Sequence, residues 1–225
     1  MNEKQLNEQE SLELITRMIQ NSKKNLGQGG GNAFLLWGYV CAITALVVFA
    51  VVYFTKEPAL NWLWFAIPVV GFPLAWWQER KRPPRVITYI DKVIASVWRS
   101  LSLFGICGFC VVLWLYQMLA ETPLVIWMLM IPMSLIFCSL GSMITGNLLR
   151  DKWMSLSAAT VFVLSFFILL DLAIPVTDRT MYYFSSMINA YPVYALCFVF
   201  MMIIPGHRLN NKEKKETKSL AAAAS

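Results

Sequence analysis

Two cysteines three positions apart, Cys107 and Cys110, form the C-x-x-C pattern of thiol-disulfide enzymes. On a helix this spacing puts both thiols on one face. The pair could then be the reactive site of a membrane thiol redox protein. A reactive thiolate needs polar or electropositive surroundings, whereas the residues around this pair are apolar. We therefore expect both cysteines, like Cys41, Cys138 and Cys197, to pack as small apolar side chains. Redox chemistry is the third of our functional hypotheses.

Other groups that could do chemistry are scarce in the apolar stretches. His207 is the single histidine and has no nucleophile motif nearby, so a histidine-dependent hydrolase is disfavoured and we expect His207 to contact lipid headgroups. Asp171 lies at the edge of an apolar stretch, and we expect it to pair with Arg179; a gate or ligand role is the alternative. Because His207 and the cysteines are not clustered as metal ligands, we expect no catalytic residue, cofactor or metal.

Helices that cross a membrane must position these residues. The chain has 225 residues, of which 58% are hydrophobic and 14% charged, whereas soluble domains carry roughly 25% charged residues. Six apolar stretches are each near the roughly 20 residues that cross a bilayer as a helix. They are apolar on every face, which favours helices over a barrel. The predicted fold is an all-α polytopic bundle with spans at 33–54, 59–77, 101–119, 124–149, 153–170 and 181–204.

The charged residues predict how these helices are oriented. Lys56 and Arg179 fall on one side of the predicted topology, and the other 17 of the 19 Lys and Arg residues fall on the side that holds both termini. Cytoplasmic loops of membrane proteins carry the excess of Lys and Arg, so both termini are predicted to be cytoplasmic. The net charge of +6 therefore reflects topology, and we expect contact with anionic lipid and no nucleic-acid binding.

Residues 1–32 are predicted to form a cytoplasmic amphipathic helix followed by a glycine-rich joint. Leu12, Ile15 and Ile19 recur at three- and four-residue steps, which places them in one apolar stripe. Such a helix packs on the bundle or the membrane surface, or it docks into a groove of a partner protein. The three residues are candidates for contact with lipid or a partner.

A second amphipathic stretch, 84–98, is predicted to lie in the headgroup layer as an interfacial helix. The basic cluster beside it would attract anionic lipid at roughly 1 kcal/mol per charge. The members of that cluster are Arg80, Lys81, Arg82 and Arg85. The membrane domain is predicted to cover 33–206, and 207–225 form a basic cytoplasmic tail in which 221–225 look like an appended linker.

Within the predicted spans, prolines occur only in the even-numbered ones, where they kink helices. Pro68, Pro132 and Pro192 are candidates for lining a cavity, together with Asn147 and Asp171. The alternative is that the kinks only fit the helices into the bundle.

The fourth and fifth spans are predicted to pack closest, because their connection is short and small residues flank it. An interhelical hydrogen bond between Asn147 and Thr160 is expected to accompany this contact. The small residues are Ser139, Ser142, Gly146, Ser155, Ala158 and Ala159.

Three motifs resemble an uncharacterised family of bacterial six-helix inner-membrane proteins. They are Gln9-Glu10-Ser11-Leu12-Glu13-Leu14-Ile15, the joint Gly29-Gly30-Gly31-Asn32, and Leu36-Trp37-Gly38-Tyr39. The resemblance covers most of the chain. It implies a bacterial inner membrane and no particular activity.

The leading hypothesis is a non-enzymatic inner-membrane protein that acts as a subunit or regulator through its cytoplasmic face. Its partners would be anionic lipid and a protein, or a second copy of the chain. The alternative is a small permease or export component for an uncharged or zwitterionic solute, which would use a cavity between the kinked helices.

Overall fold

The computed structural model describes residues 30–81, 87–118, 123–171 and 179–224. All regular elements in these ranges are helical, which confirms the predicted all-α fold class. In chain order they are α1 (Gly30–Thr55), a 3₁₀ helix (Pro58–Phe65), α2 (Ala66–Arg80), α3 (Tyr89–Met118), α4 (Pro123–Leu148), α5 (Lys152–Asp171), α6 (Arg179–Phe198), a π-turn (Val199–Ile203) and α7 (Ile204–Ala224).

Six of the described stretches are long and apolar enough to cross a membrane. This agrees with the six spans read from hydropathy, and the chain has the character of an integral membrane protein. The stretches are Gly31–Thr55, Ala59–Arg80, Tyr89–Val111, Leu129–Leu148, Lys152–Leu170 and Ile188–Lys215.

Two boundaries differ from the sequence-based prediction. A single helix, α3, runs from Tyr89 to Met118, where an interfacial helix and a separate span had been expected. No proline or glycine stands between the two predicted segments to interrupt the helix. At the other boundary the expected tail continues the sixth span as helix α7.

Helix α1 lies at the centre of the bundle. Seven of its buried residues follow one another in steps of three and four, which is the seam of a left-handed helix pair. This seam packs against α6, the π-turn and α7, while α2 and the 3₁₀ helix cover another side of α1. The residues of the seam are Gly31, Phe34, Gly38, Cys41, Ala45, Val48 and Val52.

Helices α4 and α5 form the most extensive helix pair of the described chain, as the short connection predicted. A Cβ atom on Gly146 would lie 2.7 Å from the backbone nitrogen of Ser155, so only glycine permits this approach. Asn147 does form an interhelical hydrogen bond, but its partner is the Ser155 hydroxyl at 2.8 Å. Thr160, the expected partner, instead donates to the Leu156 carbonyl of its own helix.

The chain reverses between α4 and α5 in a tight C-terminal cap. Arg150 has a φ of 54°, and its N–H donates to the Asn147 carbonyl at 3.2 Å. The Asp151 N–H donates to the Gly146 carbonyl at 2.9 Å, which completes a Schellman motif. This cap delivers Asp151 directly to the start of α5.

The π-turn joins α6 to α7 inside the bundle. Its residues Met201, Met202 and Ile203 are buried, and Met202 and Ile203 pack against Gly38 of α1. One turn later a Cβ atom on Gly206 would lie 3.0 Å from the Gly31 carbonyl oxygen. The start of α7 is therefore held close to the start of α1. We call this end of the bundle, where α1 begins and α4 ends, the α7 end.

Candidate functional site

The side chain of Asp151 is the centre of the polar contacts at the α7 end. It is only 4% exposed, and its Oδ1 accepts hydrogen bonds from the backbone N–H groups of Trp153 and Met154, both at 3.1 Å. Asp151 is thus the N-cap of α5. Its other oxygen, Oδ2, accepts a hydrogen bond from Lys212 Nζ of α7 at 2.5 Å.

This arrangement keeps the Asp151 carboxylate charged. Burial alone would raise its pKa, but the hydrogen bonds from Lys212 and Met154 and the positive charges of Lys212 and Arg208 together lower the pKa below its ordinary value. A charged carboxylate at the N-terminus of α5 also interacts favourably with the helix dipole. Asp151 therefore joins the α4–α5 hairpin to α7 electrostatically.

Three further contacts fasten α7. Asn210 Nδ2 donates to Asn32 Oδ1 of α1 at 2.6 Å, and Tyr39 Oη shares a hydrogen bond with His207 Nε2 at 3.0 Å. The guanidinium of Arg208 lies 5.0 Å from the ring centroid of Trp153, in cation–π geometry. We call the set of contacts made by Asp151, Lys212, Asn32, Asn210, Tyr39, His207, Arg208 and Trp153 the α7 junction.

The α7 junction is suited to holding a helix in place. Within the described residues, no group of three His, Cys, Asp or Glu side chains could hold a metal ion. The junction joins three separate elements through one ion pair and several hydrogen bonds, so it fixes both the rotation and the position of α7.

A second polar cluster is buried within the bundle. Asn61 is 1% exposed, and its Oδ1 accepts hydrogen bonds from Tyr191 Oη at 2.5 Å and from Trp64 Nε1 at 3.3 Å. The ring of Trp64 packs edge-on against Tyr191 and Tyr194. These contacts connect the 3₁₀ helix to α6, and they satisfy polar groups that would be costly to leave unpaired in an apolar interior.

Some predicted contact residues can be located and others cannot. Arg80 and Lys81 are exposed at the end of α2, where each cation lies over a tryptophan of the preceding turn, Trp76 at 3.7 Å and Trp77 at 3.6 Å. This is the arrangement of an interfacial anchor. Leu12, Ile15, Ile19, Arg82 and Arg85 lie outside the described residues.

The cavity candidates differ in burial and in position along the bundle. Pro132 is fully buried, whereas Pro68 and Pro192 are half-buried. Asn147 lies at the α7 end, and Asp171 ends α5 about 30 Å away. The position of the Asp171 side chain lies outside what the structure describes.

The side chains beside Pro132 and Pro192 are closely packed. Leu135 follows Pro132 on α4, and it is fully buried together with Phe198. Tyr191 and Tyr194 flank Pro192, and both are buried in the same core.

All five cysteines are free thiols. Cys107 and Cys110 are exposed on α3, on a helix face surrounded by apolar residues, while Cys41 and Cys197 are buried in the core and Cys138 packs against it. His207 contacts Tyr39, a partner that sequence reasoning had not identified.

Sequence reasoning missed Asp151 because the loop between α4 and α5 was used for its positive charges and its short length, and its aspartate was not considered as a helix cap. The available signal was an aspartate immediately before a helical stretch, which is the pattern of an N-cap.

No family model, no curated protein and no solved structure matches this chain.

Proposed function

We propose that this chain is a non-enzymatic inner-membrane protein that acts as a subunit or regulatory component through its α7 end, which faces the cytoplasm. The observation that carries this proposal is the pairing of Lys212 with the buried Asp151. An ion pair between the exposed Lys212 and the buried Asp151 fixes a polar helix to the membrane bundle, and such a pair has a use when that helix must be presented in one orientation.

The distribution of charge supports the orientation. Among the described Lys and Arg residues, only Lys56 and Arg179 lie toward the opposite end, and the others gather at the α7 end. An excess of Lys and Arg marks the cytoplasmic side of bacterial membrane proteins.

Pre-organisation explains why a fixed helix favours binding. A binding element that is already held in its bound conformation loses less entropy on association. The α7 junction holds Ile204–Lys212 against α1 and α5, and the helix continues to Ala224. A scaffold or subunit needs such a rigid presenting element.

The other hypotheses stay predictions. Transport would need a polar cavity at the prolines, and beside Pro132 and Pro192 the described interior is filled by Leu135, Phe198 and two tyrosines. Thiol redox chemistry would need an electropositive site for Cys107 and Cys110, whereas these residues lie on an exposed apolar face.

Orientation is tested by cysteine accessibility in intact cells. In a variant without native cysteines, Asn211→Cys is expected to resist a membrane-impermeant maleimide until the cells are opened, and Glu57→Cys is expected to react at once. The reverse pattern would refute a cytoplasmic α7 end.

The subunit role is tested by co-purification in mild detergent. The full-length protein is compared with Asp151→Asn/Lys212→Met, which releases α7, and with Lys92→Glu, which changes an exposed charge on α3. We expect a stoichiometric partner to be retained by wild type and Lys92→Glu and lost from the double variant. Ile15→Glu separately tests the amphipathic N-terminal segment. Equal recovery from all variants would contradict a role for the α7 end.

A further inference from the structure

One face of α7 carries only positive charge. Asn211, Lys214, Lys215 and Lys218 follow one another at three- and four-residue steps, so they share a helix face. All four are exposed, whereas Glu213 is half-buried on the opposite side. Within the described residues no carboxylate forms an ion pair with these three lysines. We call these four residues the lysine stripe.

The lysine stripe stands away from the apolar layer of the membrane. Helix α7 continues from the buried π-turn, and Lys212 is the last of its residues in the α7 junction. With a rise of 1.5 Å per residue, Lys218 lies about 9 Å farther along the helix than Lys212. That distance is close to the Debye length of roughly 8 Å at physiological ionic strength.

The composition of this segment also argues against a helix that lies on the lipid. Residues 210–219 contain no apolar side chain. A helix that lies in the headgroup layer is held there by an apolar face inserted below the headgroups. Without such a face, α7 presents its lysines to the aqueous side.

From this charge segregation we propose that the lysine stripe binds an acidic helix of a partner protein, an inference that rests on the proposed subunit function. Lys214 and Lys218 are one helical turn apart, so carboxylates spaced four residues apart on a facing helix match them. Exposed charge pairs of this kind set the partner choice and the association rate. The fixed rotation of α7 keeps the stripe turned away from the bundle.

The test uses full-length protein in nanodiscs of phosphatidylcholine and a synthetic helical peptide with glutamates four residues apart. Binding is measured for wild type, for Lys214→Glu/Lys218→Glu, and for the matched control Lys92→Glu/Arg99→Glu, which reverses two exposed charges on α3. We expect the stripe variant to bind about tenfold more weakly and the control to stay within about twofold of wild type. Binding is also expected to weaken as salt is raised.

Two outcomes would overturn the inference. An equal loss in both double variants would show a general charge effect without a specific surface. Loss of peptide binding by wild type when phosphatidylserine is added to the nanodisc would assign the stripe to anionic lipid. All the substitutions are on exposed residues, so each variant is expected to fold. Each variant must elute as a single species in size-exclusion chromatography before its binding is measured.

The inference and the proposed function fail in different ways. If a partner co-purifies with wild type and equally with the stripe variant, the subunit role stands and the lysine stripe is not its contact. If the peptide binds the stripe but release of α7 leaves every co-purifying protein in place, the proposed role of the α7 end fails instead.

Discussion

The α-carbon of Gly146 faces the backbone of Ser155 so closely that a methyl group placed on it would stand 2.7 Å from the Ser155 nitrogen. Because that neighbour is backbone, it cannot move aside without separating α4 from α5. The approach also brings Asn147 within hydrogen-bond distance of the Ser155 hydroxyl. One glycine therefore determines how the two helices meet and where the cap at Asp151 is placed.

Gly146→Ala is expected to reduce the free energy of unfolding by about 1–3 kcal/mol, because overpacking forces the helices apart. The measurement is unfolding in mixed detergent micelles, followed by circular dichroism. Gly108→Ala is the matched control, since a Cβ atom there would meet nothing within 4 Å among the described residues. It should be neutral or stabilising by up to about 1 kcal/mol. Equal effects of the two substitutions would contradict the packing described for Gly146.

Asp151→Ala is expected to destabilise the protein by about 0.5–2 kcal/mol through loss of the N-cap of α5. The effect should depend on pH. Because the folded-state pKa of Asp151 lies below its ordinary value, its electrostatic contribution is present above the ordinary pKa of about 4 and is lost as the pH falls through the folded-state pKa.

The difference in stability between wild type and Asp151→Asn should therefore be constant near neutral pH and shrink in acid below about pH 4. Denaturant titrations at a series of pH values measure it. A difference that instead grows as the pH falls would mean that the folded-state pKa is raised, contrary to the pairing with Lys212.

The π-turn sets the rotation of α7. Deletion of Phe200, an exposed residue of the turn, would rotate α7 by roughly 100° and separate Asn210 from Asn32. In a cysteine-free background, Asn32→Cys/Asn210→Cys is expected to cross-link under mild oxidation, and the deletion is expected to abolish the cross-link. Deletion of Ala222, beyond the α7 junction, is the control and should leave the cross-link intact. Persistence of the cross-link without Phe200 would show that the turn does not set the register.

Tyr191→Phe removes the hydroxyl that donates a hydrogen bond to Asn61. We expect it to reduce the free energy of unfolding by about 1 kcal/mol or more, because the Asn61 oxygen that loses this donor is buried. Tyr53→Phe is the control, since Tyr53 is exposed. Thermal unfolding of the two variants in detergent compares them. A larger loss of stability for Tyr53→Phe than for Tyr191→Phe would show that the buried cluster around Asn61 does not stabilise the protein.

Much of the fold follows from the sequence because few backbone structures are stable inside a bilayer. The apolar stretches had to be helices, since backbone groups in lipid must be satisfied within each segment. The closeness of α4 and α5 also followed, because only three residues connect them and small residues such as Gly146 face the contact.

The ends of helices were less predictable. The sequence placed an end near residue 204, where the apolar run stops and Pro205-Gly206 follows. The helix continues because the π-turn and the contact of Gly206 with Gly31 hold the chain in helical geometry. Such long-range contacts have no signature in local hydropathy.

By itself the sequence determined the fold class and the number of spans, because hydropathy and helix length act locally along the chain. Only the tertiary structure decided that Asp151 meets Lys212, that Asn32 meets Asn210, and that three lysines of α7 face outward. These pairings join residues 61 and 178 positions apart, and they depend on the rotation of each helix about its axis. A one-residue change in the π-turn would alter that rotation, so composition and spacing alone could not define the α7 junction.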